Sequence, residues 1–70
     1  MNIDQLKTYI AVVETRSFTK AAKTVNLTQS AVSLQIKRLE DELGVSLLTR
    51  VAKKVNLTAP GKDLLAYAEK

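Results

Sequence analysis

The feature that most constrains this chain is how little separates two of its helices. Ser17 is placed to cap a helix whose apolar positions are Phe18, Ala21, Ala22 and Val25. Asn26 tolerates the left-handed conformation that ends a helix, and Thr28 is already the cap of the next one. Val32, Ile36, Leu39 and Leu43 then recur at i, i+4, i+7 and i+11, one stripe of a helix that Gly44 can stop. Leu27 is expected to plug the core across the tight turn. The small pair Ala21 and Ala22 lets a neighbouring helix come close and cross steeply. Ala22, Asn26 and Val32 thus give a small residue, a turn residue and a β-branched core residue at helix-turn-helix spacing.

The flanking segments complete this plan. Ile3, Leu6, Ile10 and Val13 predict a helix over 3–15, its apolar face widened by Tyr9 and Val12. Asn2 can cap it, with Gln5 where a capping box wants an amide. After Gly44 the period changes. Residues 45–50 and 55–58 are short runs around the polar tip Ala52, Lys53 and Lys54, and predict a small β-hairpin. Thr58 caps a last helix with Pro60 in its first turn and Leu64, Leu65 and Ala68 on its apolar face. It reaches Lys70 without a stop signal, which reads as a helix cut short within a longer protein. The expected class is mainly α with a small β-hairpin: a winged helix-turn-helix with a three-helix core, a wing and the start of one more helix.

Composition removes other function classes. Seventy residues allow one small domain with a thin core. With no cysteine there is no disulfide scaffold or thiolate metal site, and with no histidine the commonest general base and metal ligand is missing. Neither a metal, nor a cofactor, nor catalysis has evident residues. The longest purely apolar run, Ile10-Ala11-Val12-Val13, is too short for a signal peptide or a membrane span, so a cytoplasmic protein is expected.

The net charge of +4 is unevenly spread. Residues 16–38 hold five cations (Arg16, Lys20, Lys23, Lys37 and Arg38) and no carboxylate. Arg50, Lys53, Lys54 and Lys62 form a second basic block, and Glu40, Asp41 and Glu42 lie between the two. Such segregation fits either a solvated surface or a face that meets a polyanion. The acidic trio is expected to be solvated helix surface. With the core stripe of the third helix inward, Ser30, Ser33, Leu34, Lys37 and Arg38 fall on the opposite and flanking sides, and Gln29 lies at the amino end. Hydroxyls, an amide and cations suit base edges and phosphates. For Gln29, Ser30 and Ser33 simple helix-start chemistry is the competing account. For Leu34 the choice is between a scattered exposed leucine and a contact to a thymine methyl.

The stretch from Ser17, SFTKAAKTVNLTQSAVSLQIKRLEDELGVSLLTR, resembles the amino-terminal DNA-binding domain of LysR-type transcriptional regulators. The likeness extends outward to MNIDQLKTYIAVVETRSF and VNLTAPGKDLL, and so over effectively the whole chain. Its most specific pieces are SFTKAA, TQSAVS, the Leu39-Glu40 and Leu43-Gly44 pairs, and Leu57, Thr58 and Gly61. The resemblance implies sequence-specific binding to double-stranded DNA, with a recognition helix over about 28–43 in the major groove. Its base-reading positions fall on Gln29, Ser30, Ser33, Leu34 and Lys37. Its backbone contacts fall on Ser17, Thr19, Lys20, Thr28, Arg38, Arg50, Lys53 and Lys54, with the wing over 50–55 on the backbone or minor groove. Residues 1–58 would be the DNA-binding domain and 59–70 the start of a linker helix that dimerises, through Leu64, Leu65 and Ala68. Full-length members are homodimers or tetramers on pseudo-palindromic, AT-rich operators. A small-molecule effector is expected only in a carboxy-terminal domain, and no membrane is involved.

This chain departs from the family where Leu48 replaces a frequent phenylalanine, Ser30 a frequent proline and Leu34 a common arginine, and where Pro60 precedes Gly61. The rival from another class is a winged-helix protein–protein module, which would need an exposed apolar groove. The acid-free stretch over 16–38 speaks against it.

Overall fold

Both ends of each of the first three helices in the computed structural model, which describes residues 2–51 and 54–68, are closed by side-chain or left-handed cap chemistry where the cap residues stand. Helix α1 spans Ile3–Thr15. The Asn2 side chain accepts from the Gln5 amide at 2.8 Å while Gln5 Oε1 accepts from the Asn2 amide at 3.2 Å, a complete capping box. Helix α2 spans Phe18–Val25, with the Ser17 hydroxyl accepting from the Lys20 amide at 3.2 Å. Asn26 turns left-handed at φ 60°, and the Leu27 amide reaches back to the Ala22 carbonyl at 2.8 Å. Helix α3 spans Gln29–Leu43, capped by Thr28 Oγ1 on the Ala31 amide and ended at Gly44, φ 69°. Strands β1 (Leu48–Val51) and β2 (Lys54–Leu57) pair antiparallel, Leu48 opposite Leu57 and Val51 opposite Lys54. Helix α4 covers Ala59–Ala68. This is the expected mainly helical class with one hairpin. Among the described residues no helix is long and apolar enough to cross a membrane.

The core is formed by Tyr9 and Val12 of α1, Phe18, Ala21 and Ala22 of α2, Val32, Ile36 and Leu39 of α3, and Leu47 and Val55 from the wing side. Ala21 is fully buried and Ala22 nearly so, as close helix crossing demands.

The sequence reading needs five corrections. On α1 the face turned inward is Gln5, Thr8, Tyr9 and Val12, while Ile3 is 69% exposed and Leu6, Ile10 and Val13 are half-buried. Two polar residues can take the central positions because their groups are satisfied: Gln5 in the capping box, and Thr8 by donating its hydroxyl to Gln35 Oε1 on α3. Leu27 does not plug the core; it is 38% exposed, whereas Leu47, just before the wing, is buried at 1%. Leu43 is likewise 40% exposed; it keeps to the same stripe but stands in the last turn of α3, past Leu39, the last fully buried residue of that helix. The first strand starts three residues later than expected, since residues 45–47 form a non-strand connector, and the second is shifted to Lys54–Leu57. Glu40 is not mere solvated surface. Its Oε2 accepts from the Leu47 amide at 2.7 Å and the Leu48 amide at 3.3 Å, holding the connector against α3.

Candidate nucleic-acid interface

The outward side of α3 is built by subtraction. Val32, Ile36 and Leu39 are sealed into the core, so Ser30, Ser33, Leu34 and Lys37, which stand at i, i+3, i+4 and i+7, share the other side of the helix. Ser30, Leu34 and Lys37 are exposed and Ser33 is half-buried; neither the hairpin nor α4 covers this row. Leu34 is 47% exposed, an apolar side chain among hydroxyls and a cation. Gln29 and Arg38 are exposed as well. The structure therefore brings together all five of the expected base-reading positions on or beside one open face.

The starts of α2 and α3 are tied to each other. The Thr19 hydroxyl donates to Gln29 Oε1 at 3.3 Å, which places the expected backbone residue beside the expected base reader. Ser17 and Thr28 turn their side chains onto their own helices, accepting from the Lys20 and Ala31 amides. Their first role is thus capping, as expected of both residues. Lys20 is exposed. From the wing, Arg50 lays its guanidinium over the Phe18 ring, 3.5 Å from the centroid. Lys54 is exposed at the end of β2. Lys53 and Ala52 lie outside the described residues.

Sequence reasoning missed two contributors on this side. Arg16 takes a left-handed backbone, φ 55°, between α1 and α2, and its Nη1 donates to the Val55 carbonyl of β2 at 3.1 Å. Phe18 was read only as core, yet it is also the platform for Arg50. Both contacts join segments more than thirty residues apart, so no local pattern signals them. A groove lined by Arg16, Ser17, Phe18, Thr19, Gln29, Arg50 and Val55 runs between the helix-turn-helix and the wing.

Leu64 and Leu65 are half-buried and pack against this chain's own core, Ala68 is half-buried, and Tyr67 is 68% exposed. At the base of α4, the buried Tyr9 hydroxyl donates to the Gly61 carbonyl at 2.7 Å. Burial, with a smaller contribution from the nearby Glu40 charge, pushes the Tyr9 hydroxyl from 10.0 up to about 12. Among the described residues no group of three or more acidic residues could hold a metal ion.

Residues 3–62 match the model of the family described as bacterial regulatory helix-turn-helix protein, lysR family. The HTH-type transcriptional regulator HdfR of Escherichia coli is 51% identical over 69 residues, which is 99% of this chain and 25% of that protein. The chain spans about a quarter of the length of the curated relatives it matches. Among solved structures, a transcriptional regulator of the LysR family from Eggerthella lenta superposes with a TM-score of 0.93 at 36% identity, covering 100% of both chains. The CbnR_DBD–DNA complex gives 0.93 at 39% identity over 99% of this chain and 79% of that one. The BenM_DBD/benA site 1 DNA complex gives 0.93 at 42% identity, over 99% and 78%. Sequence and backbone agree along the same residues, and the chain belongs to the LysR family of bacterial regulatory helix-turn-helix proteins.

Proposed function

We propose that this chain is the DNA-binding domain of a LysR-type transcriptional regulator, and that it binds double-stranded DNA sequence-specifically with α3 in the major groove. The observation that carries the reading is the open row of Ser30, Ser33, Leu34 and Lys37 on a helix whose opposite side is sealed. The likeness to CbnR and BenM domains that are in complex with DNA supports it. Gln29, Ser30, Ser33, Leu34 and Lys37 read base edges, the leucine by contact with a thymine methyl. Thr19, Lys20, Arg38, Arg50, Lys53 and Lys54 hold the phosphate backbone, with Ser17 and Thr28 at the helix starts. This division gives affinity to the cations and selectivity to α3. Catalysis has no place in this reading, and neither does a cofactor.

Residues 1–58 form the DNA-gripping unit and 59–70 the start of a dimerising helix, so that one chain takes one half-site. A homodimer or tetramer on a pseudo-palindromic, AT-rich operator, and a small-molecule effector bound by a further domain, follow from the family.

Random-site selection with the chain tests the reading. It should enrich one short motif, and Gln29→Ala should cost about 1–3 kcal/mol on that motif and relax preference at one position. Equal loss on unrelated duplexes would show that Gln29 does not read bases.

A further inference from the structure

We propose that Arg16 and Arg50 together form a seat for one DNA-backbone phosphate, in the groove between the start of α2 and the wing; this rests on the DNA-binding reading above. The groove is walled by Arg16, Thr19, Gln29, Arg50 and Val55, with Phe18 among its lining, and among the described residues no carboxylate lines it. Both guanidinium groups are held by neutral partners. Arg50 lies on the Phe18 ring at 3.5 Å and Arg16 donates to the Val55 carbonyl at 3.1 Å. A ring face and a carbonyl orient the cations without neutralising them. Two like charges set into one groove with no counter-charge oppose folding, and a bound anion reverses that cost.

The chemistry of the seat names its ligand. A guanidinium offers five N–H donors in a planar fork, and one Arg16 donor is engaged by Val55, which leaves the fork available to phosphate oxygens. The groove continues into the wall formed by Thr19 and Gln29, joined at 3.3 Å, where α3 begins. An anion seated there lies beside the helix that reads bases, so it belongs to the strand being read: a phosphodiester. Arg16 also lines an adjoining hollow with Lys54, Val55 and Asn56.

The test uses a substitution that the backbone favours. Arg16 sits at φ 55°, where glycine is unstrained, so Arg16→Gly removes the side chain while relaxing the turn. Arg16→Gly should keep the selected motif and bind it more weakly, and Arg16→Gly combined with Arg50→Gln should make the plot of log affinity against log salt shallower by about one unit. Duplexes carrying one neutral methylphosphonate linkage at each position in turn should reveal a linkage that weakens the parent chain and makes no difference to the double variant. Arg16→Lys should retain the salt slope. An unchanged slope in the double variant, or an unchanged methylphosphonate profile, overturns the seat, even if affinity drops. A parent chain with no salt-dependent duplex binding would instead overturn the DNA-binding reading, and the seat with it.

Discussion

A β-carbon on Gly61 would overlap the Leu47 carbonyl oxygen and come within 3.0 Å of the Tyr9 hydroxyl. The obstacle is backbone, which cannot swing aside as a side chain can, so Gly61→Ala should lower stability by about 2–4 kcal/mol in urea or thermal unfolding. A change below about 0.5 kcal/mol would mean that α4 shifts freely. Tyr9 makes the complementary prediction. Its hydroxyl ionises at about 12 in the folded chain against 10.0 when solvated, so the stability that depends on the neutral phenol is intact below pH 10. That stability should drain away as pH rises from 10 towards 12. In Tyr9→Phe this alkaline loss should vanish, at the cost of about 1 kcal/mol at neutral pH for the missing bond to Gly61. An identical alkaline limb in both proteins would assign it to other groups. Arg16 shows what single-residue reading cannot reach. A left-handed arginine is strained; its amide closes α1 on the Val12 carbonyl at 2.8 Å, and its side chain is placed by the carbonyl of Val55, 39 residues on.

At the scale of elements, the helix ends were the most legible part of the sequence because they are written in local chemistry. The Asn2–Gln5 box, the Ser17 and Thr28 caps, and the left-handed Asn26 and Gly44 all act within a few residues. The open face of α3 was equally legible, being the remainder after Val32, Ile36 and Leu39 are turned inward. The buried side of α1 was not. Apolar counting favoured Ile3, Leu6, Ile10 and Val13, whereas Thr8 is buried by a partner 27 residues away. The wing was misjudged at its entrance for a similar reason. Residues 45–47 look like strand, but Glu40 captures the Leu47 and Leu48 amides and sets where pairing begins. Removing that carboxylate leaves two part-buried amides without their acceptor. Glu40→Ala should therefore destabilise by about 1.5–3 kcal/mol, and hydrogen exchange at Leu47 and Leu48 should quicken more than in α2. Uniform quickening across the chain would argue against a local clamp.

For the whole molecule, the proposed interface draws cations from α2, α3 and both strands of the hairpin, and from the turn before α2. If Arg16 and Arg50 share one phosphate and Lys20, Arg38, Lys53 and Lys54 each neutralise one more, log affinity should fall against log salt with a slope of about −4.5. Anisotropy titrations between about 50 and 200 mM salt would measure it, and a slope shallower than about −2 would show that most of these cations stay off the DNA. The same architecture roots α4 in the middle of the fold. Tyr9 grips Gly61, Thr58 Oγ1 accepts from the Gly61 amide, the Thr58 amide donates to the Leu47 carbonyl, and Glu40 holds Leu47 to α3. A rod stepped this firmly at its foot has its heading decided there. If two copies pair through α4 as proposed, the angle and spacing at which they straddle a duplex would be set from this foot, by contacts made within one chain.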